Sequence, residues 1–264
     1  MEFVARLDKV SVSDFRTTMG TGVLLARYRM YPEATDHFQK ALATDPSSNE
    51  ARYNLANAYF QIRDYARTLE LLQQVSNEAR KDDTYNSLLG DTCARLGRTA
   101  DAIKAFQQAI AKSPDKDQYY LSLALIQLRA GNANAAEETL RKGLTRTHNS
   151  GKILWGMGVL SVAQGKTGQA EEYLKKCTDL IPEWPISHAA LGIFYYITGQ
   201  TLKVGETLNR YQELSASGGL NVKRIQEILA STPTSEAHPS SSKPLLAESR
   251  QQFLELALAL LDQD

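Results

Sequence analysis

One spacing constrains this chain more than any other. Small residues recur every 34 positions at Gly22, Ala56, Gly90, Ala124, Gly158 and Gly192. Sixteen positions after each stands a large apolar residue: Phe38, Leu72, Phe106, Leu140, Leu174 and Leu208. A third series, Gly97, Gly131, Gly165 and Gly199, keeps the same step. The register holds without insertion through six units, 15–48, 49–82, 83–116, 117–150, 151–184 and 185–218. A fixed period of about 20–50 residues is the signature of a solenoid, because one unit cannot bury its apolar face and must stack on the next.

Each recurring position has a physical reason. Two helical patterns lie in every unit, parted by a break at Gly97, Gly131, Gly165 and Gly199, where a left-handed glycine ends a helix. The small residue at the eighth position lets two helices approach closely. A large side chain there would overpack the contact at a cost of about 1–3 kcal/mol. The twentieth and twenty-seventh positions are mostly small (Ala34 and Ala41, Ala102 and Ala109, Ala170 and Cys177) and flank the large apolar twenty-fourth. These are knobs and holes between helices. Pro46, Pro114 and Pro182 interrupt the second helix, since proline lacks the donor and clashes inside a helix. The expected fold class is all-α, a solenoid of antiparallel helix pairs.

In these residues the chain resembles the tetratricopeptide repeat family over residues 15–218. Some positions depart from the family pattern. Arg80, His148 and Ala216 stand where it prefers proline, and Tyr211 where it prefers alanine. The resemblance implies a right-handed superhelix whose concave groove is lined by positions 2, 5, 9 and 12 of each first helix. In the first three units these positions are mixed and include Asn57 and Asp91. In the last three they are nearly all apolar: Leu121, Leu125 and Leu128, then Trp155, Val159 and Val162, then Ile193 and Tyr196. These residues are the candidate peptide-binding groove, with Trp155, Leu125 and Tyr196 as anchors, since a few desolvated aromatic anchors dominate interfaces. The competing reading is that they only pack on neighbouring first helices. Two uses of the family are excluded. Capture of an acidic chaperone tail needs basic residues and asparagine at positions 5 and 9, and Asp91 would repel it. The asparagine ladder of the sugar-transferring class is replaced at position 6 by Gly20, Asn54, Leu88, Ser122, Gly156 and Ala190.

The remaining chemistry is sparse. Thirty basic and thirty acidic residues balance, which removes the usual electrostatic argument for nucleic acid or an anionic membrane. No apolar run approaches the roughly 18–20 residues that span a bilayer, and the opening "MEFVARLDKVSV" is not a secretory signal. Cys93 and Cys177 occupy core positions two and a half units apart, so no disulfide is expected, and a reducing, cytoplasmic location follows. His37, His148, His188 and His238 have no metal-ligand spacing. Glu137–Glu138 and Glu171–Glu172 lie on outer helices and read as a solvated face, because neighbours on a helix diverge by about 100°. With no phosphate loop or nucleophile elbow, the expectation is a non-enzymatic protein-binding scaffold without cofactor or metal. The alternative is the regulatory or substrate-recruiting part of a longer multidomain enzyme or assembly factor, to which a half repeat at residues 1–14 would belong.

Past the repeats, residues 219–230 have the spacing of a capping helix and 231–245 form a linker with three prolines. Residues 246–264 carry a last helix. Between Leu246 and Leu261 its apolar residues fill an arc of roughly 200° at about 100° per residue, against about 100° for an ordinary surface helix. Such a helix must be covered on more than one side. Three fates are open to it: it folds back into the groove as the chain's own ligand, it pairs two molecules into a homodimer, or it extends the cap. The linker reaches at most about 50 Å, enough for the first.

Overall fold

The computed structural model describes residues 14–76, 79–215 and 247–261, and every regular element among them is helical. The chain divides into two compact units, Met1–Pro114 and Asp115–Asp264. The first holds α1 (Phe15–Arg27), α2 (Tyr31–Thr44), α3 (Asn49–Gln61), α4 (Tyr65–Gln73), a 3-10 turn (Ala79–Lys81), α5 (Asp83–Arg95) and α6 (Thr99–Lys112). The second holds α7 (Asp117–Arg129), α8 (Ala133–Arg146), α9 (Gly151–Ala163), α10 (Thr167–Leu180), α11 (Pro185–Ile197), α12 (Thr201–Leu214) and α13 (Ala247–Leu261). Within each unit, consecutive helices pair and the pairs stack, giving an all-α solenoid. The half repeat expected at residues 1–14, the cap at 219–230 and the linker at 231–245 lie outside the described residues, apart from Asp14.

The helix boundaries follow from local chemistry. Asp14, Ser48, Asp64 and Asp82 each accept a hydrogen bond from a backbone N–H of the helix they precede, meeting one of the four donors every helix start leaves unpaired. At the break between paired helices, Gly97, Gly131, Gly165 and Gly199 all take the left-handed conformation, with φ of 73–78°. The N–H after each glycine reaches back to a carbonyl in the last turn, as in Arg98 N to Cys93 O at 2.8 Å and Gln200 N to Tyr195 O at 2.8 Å. This is the Schellman cap. Repeats one and two make the same turn with Arg29 (φ 59°) and Arg63 (φ 65°), so the backbone demand is uniform although the glycine is not.

The eighth position packs as its spacing implies. A Cβ added at Gly22 would lie 2.6 Å from the Phe38 ring, one at Gly90 2.6 Å from Phe106, and one at Gly158 2.7 Å from Leu174. In repeats two and four the pairs are Ala56 with Leu72 and Ala124 with Leu140, all four buried. The prolines do not interrupt a helix. The helices α2, α6 and α10 end at Thr44, Lys112 and Leu180, two residues before Pro46, Pro114 and Pro182, because the residue preceding proline is itself pushed out of the helical region. Where Arg80 replaces the proline, its guanidinium donates to the carbonyls of Val75 and Gln73 at the end of α4. Where His148 does, it and Asn149 both take positive φ, 52° and 65°.

The helix α13 breaks the two-layer pattern. It packs against the first helices of repeats five and six, α9 and α11, adding a third layer there.

Candidate functional site

Three first helices, α7, α9 and α11, carry the apolar groove positions of the second unit. In α9 every residue from Ile153 to Val162 is buried, and in α11 every residue from Ala189 to Tyr195. A helix apolar all round has to be covered all round. The second helices of the repeats cover one side of α9 and α11. The helix α13 covers another with Phe253, Leu256, Ala257 and Leu260, all buried. These four fall at i, i+3, i+4 and i+7, one face of a helix.

Trp155, Val159, Val162 and Ile193 are fully buried on α9 and α11. Trp155 meets Trp184 edge to face at 5.9 Å, and its indole N–H is buried without a hydrogen-bond partner. Leu121 is buried between repeats: a Cβ added at Gly156 on α9 would sit 2.8 Å from its Cδ1. Leu125, Leu128 and Tyr196 are half-buried. Asn57 and Asp91 belong to the first unit. Asn57 lines a shallow cleft of about 250 Å³ with Val23, Ala26, Arg27, Tyr31, Asn54 and Gln61. Asp91 is half-buried on α5. His188 is hydrogen-bonded through Nε2 to the Pro182 carbonyl at 2.8 Å.

Two features escaped the repeat pattern. The first is Arg250 on α13. Its Nη1 donates to the carbonyl of Ala163, the last residue of α9, at 3.3 Å. It passes over Gly165, where an added Cβ would come within 3.3 Å of the same nitrogen. Arg250 and the Ala163 carbonyl thus meet across 87 residues of sequence, and no periodic signal connects them. The second is the outer acidic pairs, which are not equivalent members of a solvated face. Glu138 and Glu172 make only i,i+4 pairs with Lys142 and Lys176. Glu137 and Glu171 also bridge to the next repeat, through Gln164 and Lys166 and through Lys203. Hydrogen bonds from Arg141 and Gln164 hold the Glu137 carboxyl below its ordinary value. Burial pushes Glu171 up, but Lys203 and Lys175 together outweigh it and the net direction is down. Lys203 also lies 4.8 Å over the Tyr195 ring, whose hydroxyl is pushed up to about 12 by burial and then by Glu171.

Both thiols are unpaired and buried. Burial raises Cys93 and takes Cys177 to about 12, so neither is a ready nucleophile. Among the described residues, no group of three or more histidine, cysteine or carboxylate residues is placed to hold a metal, and no helix is long and apolar enough to cross a membrane.

Comparison with known proteins agrees with this architecture. The family model described as anaphase-promoting complex, cyclosome, subunit 3 matches residues 27–109. The model of the cilia and flagella-associated protein 70 middle TPR-like domain matches residues 86–215. The chain belongs to the tetratricopeptide repeat (TPR) family. It is 24% identical over 168 residues to the DnaJ homolog subfamily C member 7 homolog of Dictyostelium discoideum, covering 58% of this chain and 31% of that protein. It is 29% identical over 91 residues to the E3 ubiquitin-protein ligase CHIP of Arabidopsis thaliana, covering 34% of this chain and 33% of that one. The TPR chain therefore spans about a third of the length of these relatives. Among solved structures, pilF of Pseudomonas aeruginosa superimposes with a TM-score of 0.61 at 17% identity, over 83% of this chain and 97% of its own. That likeness is one of fold.

Proposed function

We propose that this TPR protein is a non-enzymatic interaction scaffold whose groove, formed by α7, α9 and α11, binds an apolar or amphipathic helix of a protein partner. The observation that carries this reading is the seat of α13. An amphipathic helix lies with its apolar stripe on α9 and α11, the first helices that the sequence marks as apolar at the groove positions. The chain's own terminal helix is thus an internal ligand, and a partner gains access by displacing it. Leu125 and Leu128 on α7 are half-buried and offer further apolar surface for a longer partner helix. Removing residues 240–264 and titrating a labelled peptide of residues 247–261 tests this. Saturable binding, one peptide per chain, is expected at micromolar concentrations, about 8 kcal/mol. Absence of binding to a folded, truncated chain would defeat the reading. An intact chain with the mass of a dimer would instead assign α13 to exchange between two molecules.

A second reading rests on length. The chain spans about a third of the relatives it matches, one of them named as a ligase. The repeats then serve as the recruiting part of a larger enzyme or assembly factor. A reading frame several hundred residues longer favours it.

A further inference from the structure

Resting on the groove reading, we infer that the partner's helix is recognised by an arginine one turn ahead of its apolar stripe, docked on the carboxyl end of α9. Three observations carry this. The cap of α9 uses the carbonyls of Ser161 and Val162, which accept from the N–H groups of Lys166 and Gly165. The next carbonyl, Ala163, accepts from Arg250 Nη1. A helix end is a site of partial negative charge with unpaired acceptors, so a cation placed there gains from both. Next, Gly165 leaves the space that the guanidinium fills, and any side chain there would crowd it. Last, Arg250 lies three residues before Phe253, on the same face as the buried Phe253, Ala257 and Leu260. A charged contact at one end and a stripe along the rest fix both the direction and the register of the bound helix. An apolar stripe alone fixes neither.

The recognised segment is accordingly an amphipathic helix reading arginine, two variable residues, a large apolar residue, two variable, apolar, small, two variable, apolar. The small position corresponds to Ala257, which is fully buried. The variable positions correspond to Gln251 and Glu255, which are exposed, and to Gln252, Leu254, Leu258 and Ala259, which are half-buried. The Nε of Arg250 is buried without a partner. An unmet buried donor weakens the resident helix, so a partner that seats its arginine better displaces it.

The test uses the full-length chain with Phe253→Asp, which ejects α13 while leaving the groove intact. A fluorescein-labelled peptide of residues 247–261 is titrated and followed by anisotropy, beside peptides carrying Arg250→Ala, Arg250→Lys and Leu256→Asp. Loss of a charge-assisted bond at a helix end predicts binding weaker by about five- to tenfold for Arg250→Ala. The lysine peptide should fall between, and the Leu256→Asp peptide should not bind. Equal binding of the alanine and unaltered peptides overturns the arginine rule while leaving the groove reading in place. Failure of the unaltered peptide to bind overturns the groove reading as well. If circular dichroism shows the Phe253→Asp chain to be unfolded, Arg250→Ala in the otherwise unaltered full chain decides. Amides 253–260 should then exchange about five- to tenfold faster, and unchanged exchange overturns the inference.

Discussion

Exchanging one repeat's packing pair for another's tests how the helices are held together. Gly90 faces Phe106, and a Cβ added to it would lie 2.6 Å from both Cδ2 and Cε2 of that ring. Carbon atoms ordinarily approach to about 3.5–4.0 Å, so the ring would have to move by about 1 Å. Phe106 is fully buried in α6 and has little room to do so. Overpacking of this kind costs about 1–3 kcal/mol, while alanine gains about 1 kcal/mol over glycine within a helix. Gly90→Ala should therefore destabilise by about 0–2 kcal/mol, against a gain of about 0.5–1 kcal/mol for Gly205→Ala, where nothing lies within 4 Å. Phe106→Leu alone should lose roughly 1–2 kcal/mol of buried ring volume. The double variant recreates the Ala–Leu pair that repeats two and four use at Ala56–Leu72 and Ala124–Leu140. It should be more stable than the sum of the single changes by about 1–3 kcal/mol. Urea denaturation of all four chains, with constant slope as the check on cooperativity, closes the cycle. Additivity within about 0.5 kcal/mol would refute the claim that these two positions set the spacing of the helix pair.

Cys177, raised to about 12 by burial, should resist a thiol reagent in the native chain at pH 7–9 and react at once in denaturant; prompt native reaction would contradict its burial. Arg80→Ala removes the guanidinium that satisfies Val75 and Gln73 and should lower stability by about 1–2 kcal/mol, read as a fall in melting temperature. Glu137 and Glu171 have folded pKa values below the ordinary 4.5. Their stabilisation is therefore complete above that value and is lost as pH falls through the folded one. Glutamine at both positions should flatten the acid limb of the stability profile below pH 4.5, and an unchanged limb would show that the bridges between repeats do not hold in solution.

The repeats were legible because their demands are local and periodic. A left-handed step every 34 residues and a small-against-large pair 16 residues apart survive in the sequence even when Arg29 or Ala56 replaces the usual residue. The apolar character of α9 and α11 was legible for the same reason. What covers them was only half so. The width of the apolar arc on residues 246–261 states that this helix is covered, and it leaves open by what. Nor did the pattern single out Arg250 or the second role of Gly165, because their meeting depends on how α13 is aimed and not on any spacing along the chain. The prolines were expected to interrupt the second helix, whereas each helix ends two residues before its proline, since the restriction on the preceding residue acts before the proline is reached. The contact of Leu121 with Gly156, between two first helices, is likewise not given by counting positions along a repeat.

Hydrogen exchange of the intact chain tests the seat of α13 most directly. A free helix of fifteen residues is marginal in water, so its amides acquire protection only by docking. Amides 250–260 should exchange slowly in the native chain. Phe253→Asp should bring them to the unprotected rate and, in the same experiment, quicken exchange in α9 and α11. Unprotected amides in the native chain, or α9 and α11 indifferent to the loss of α13, would contradict the account.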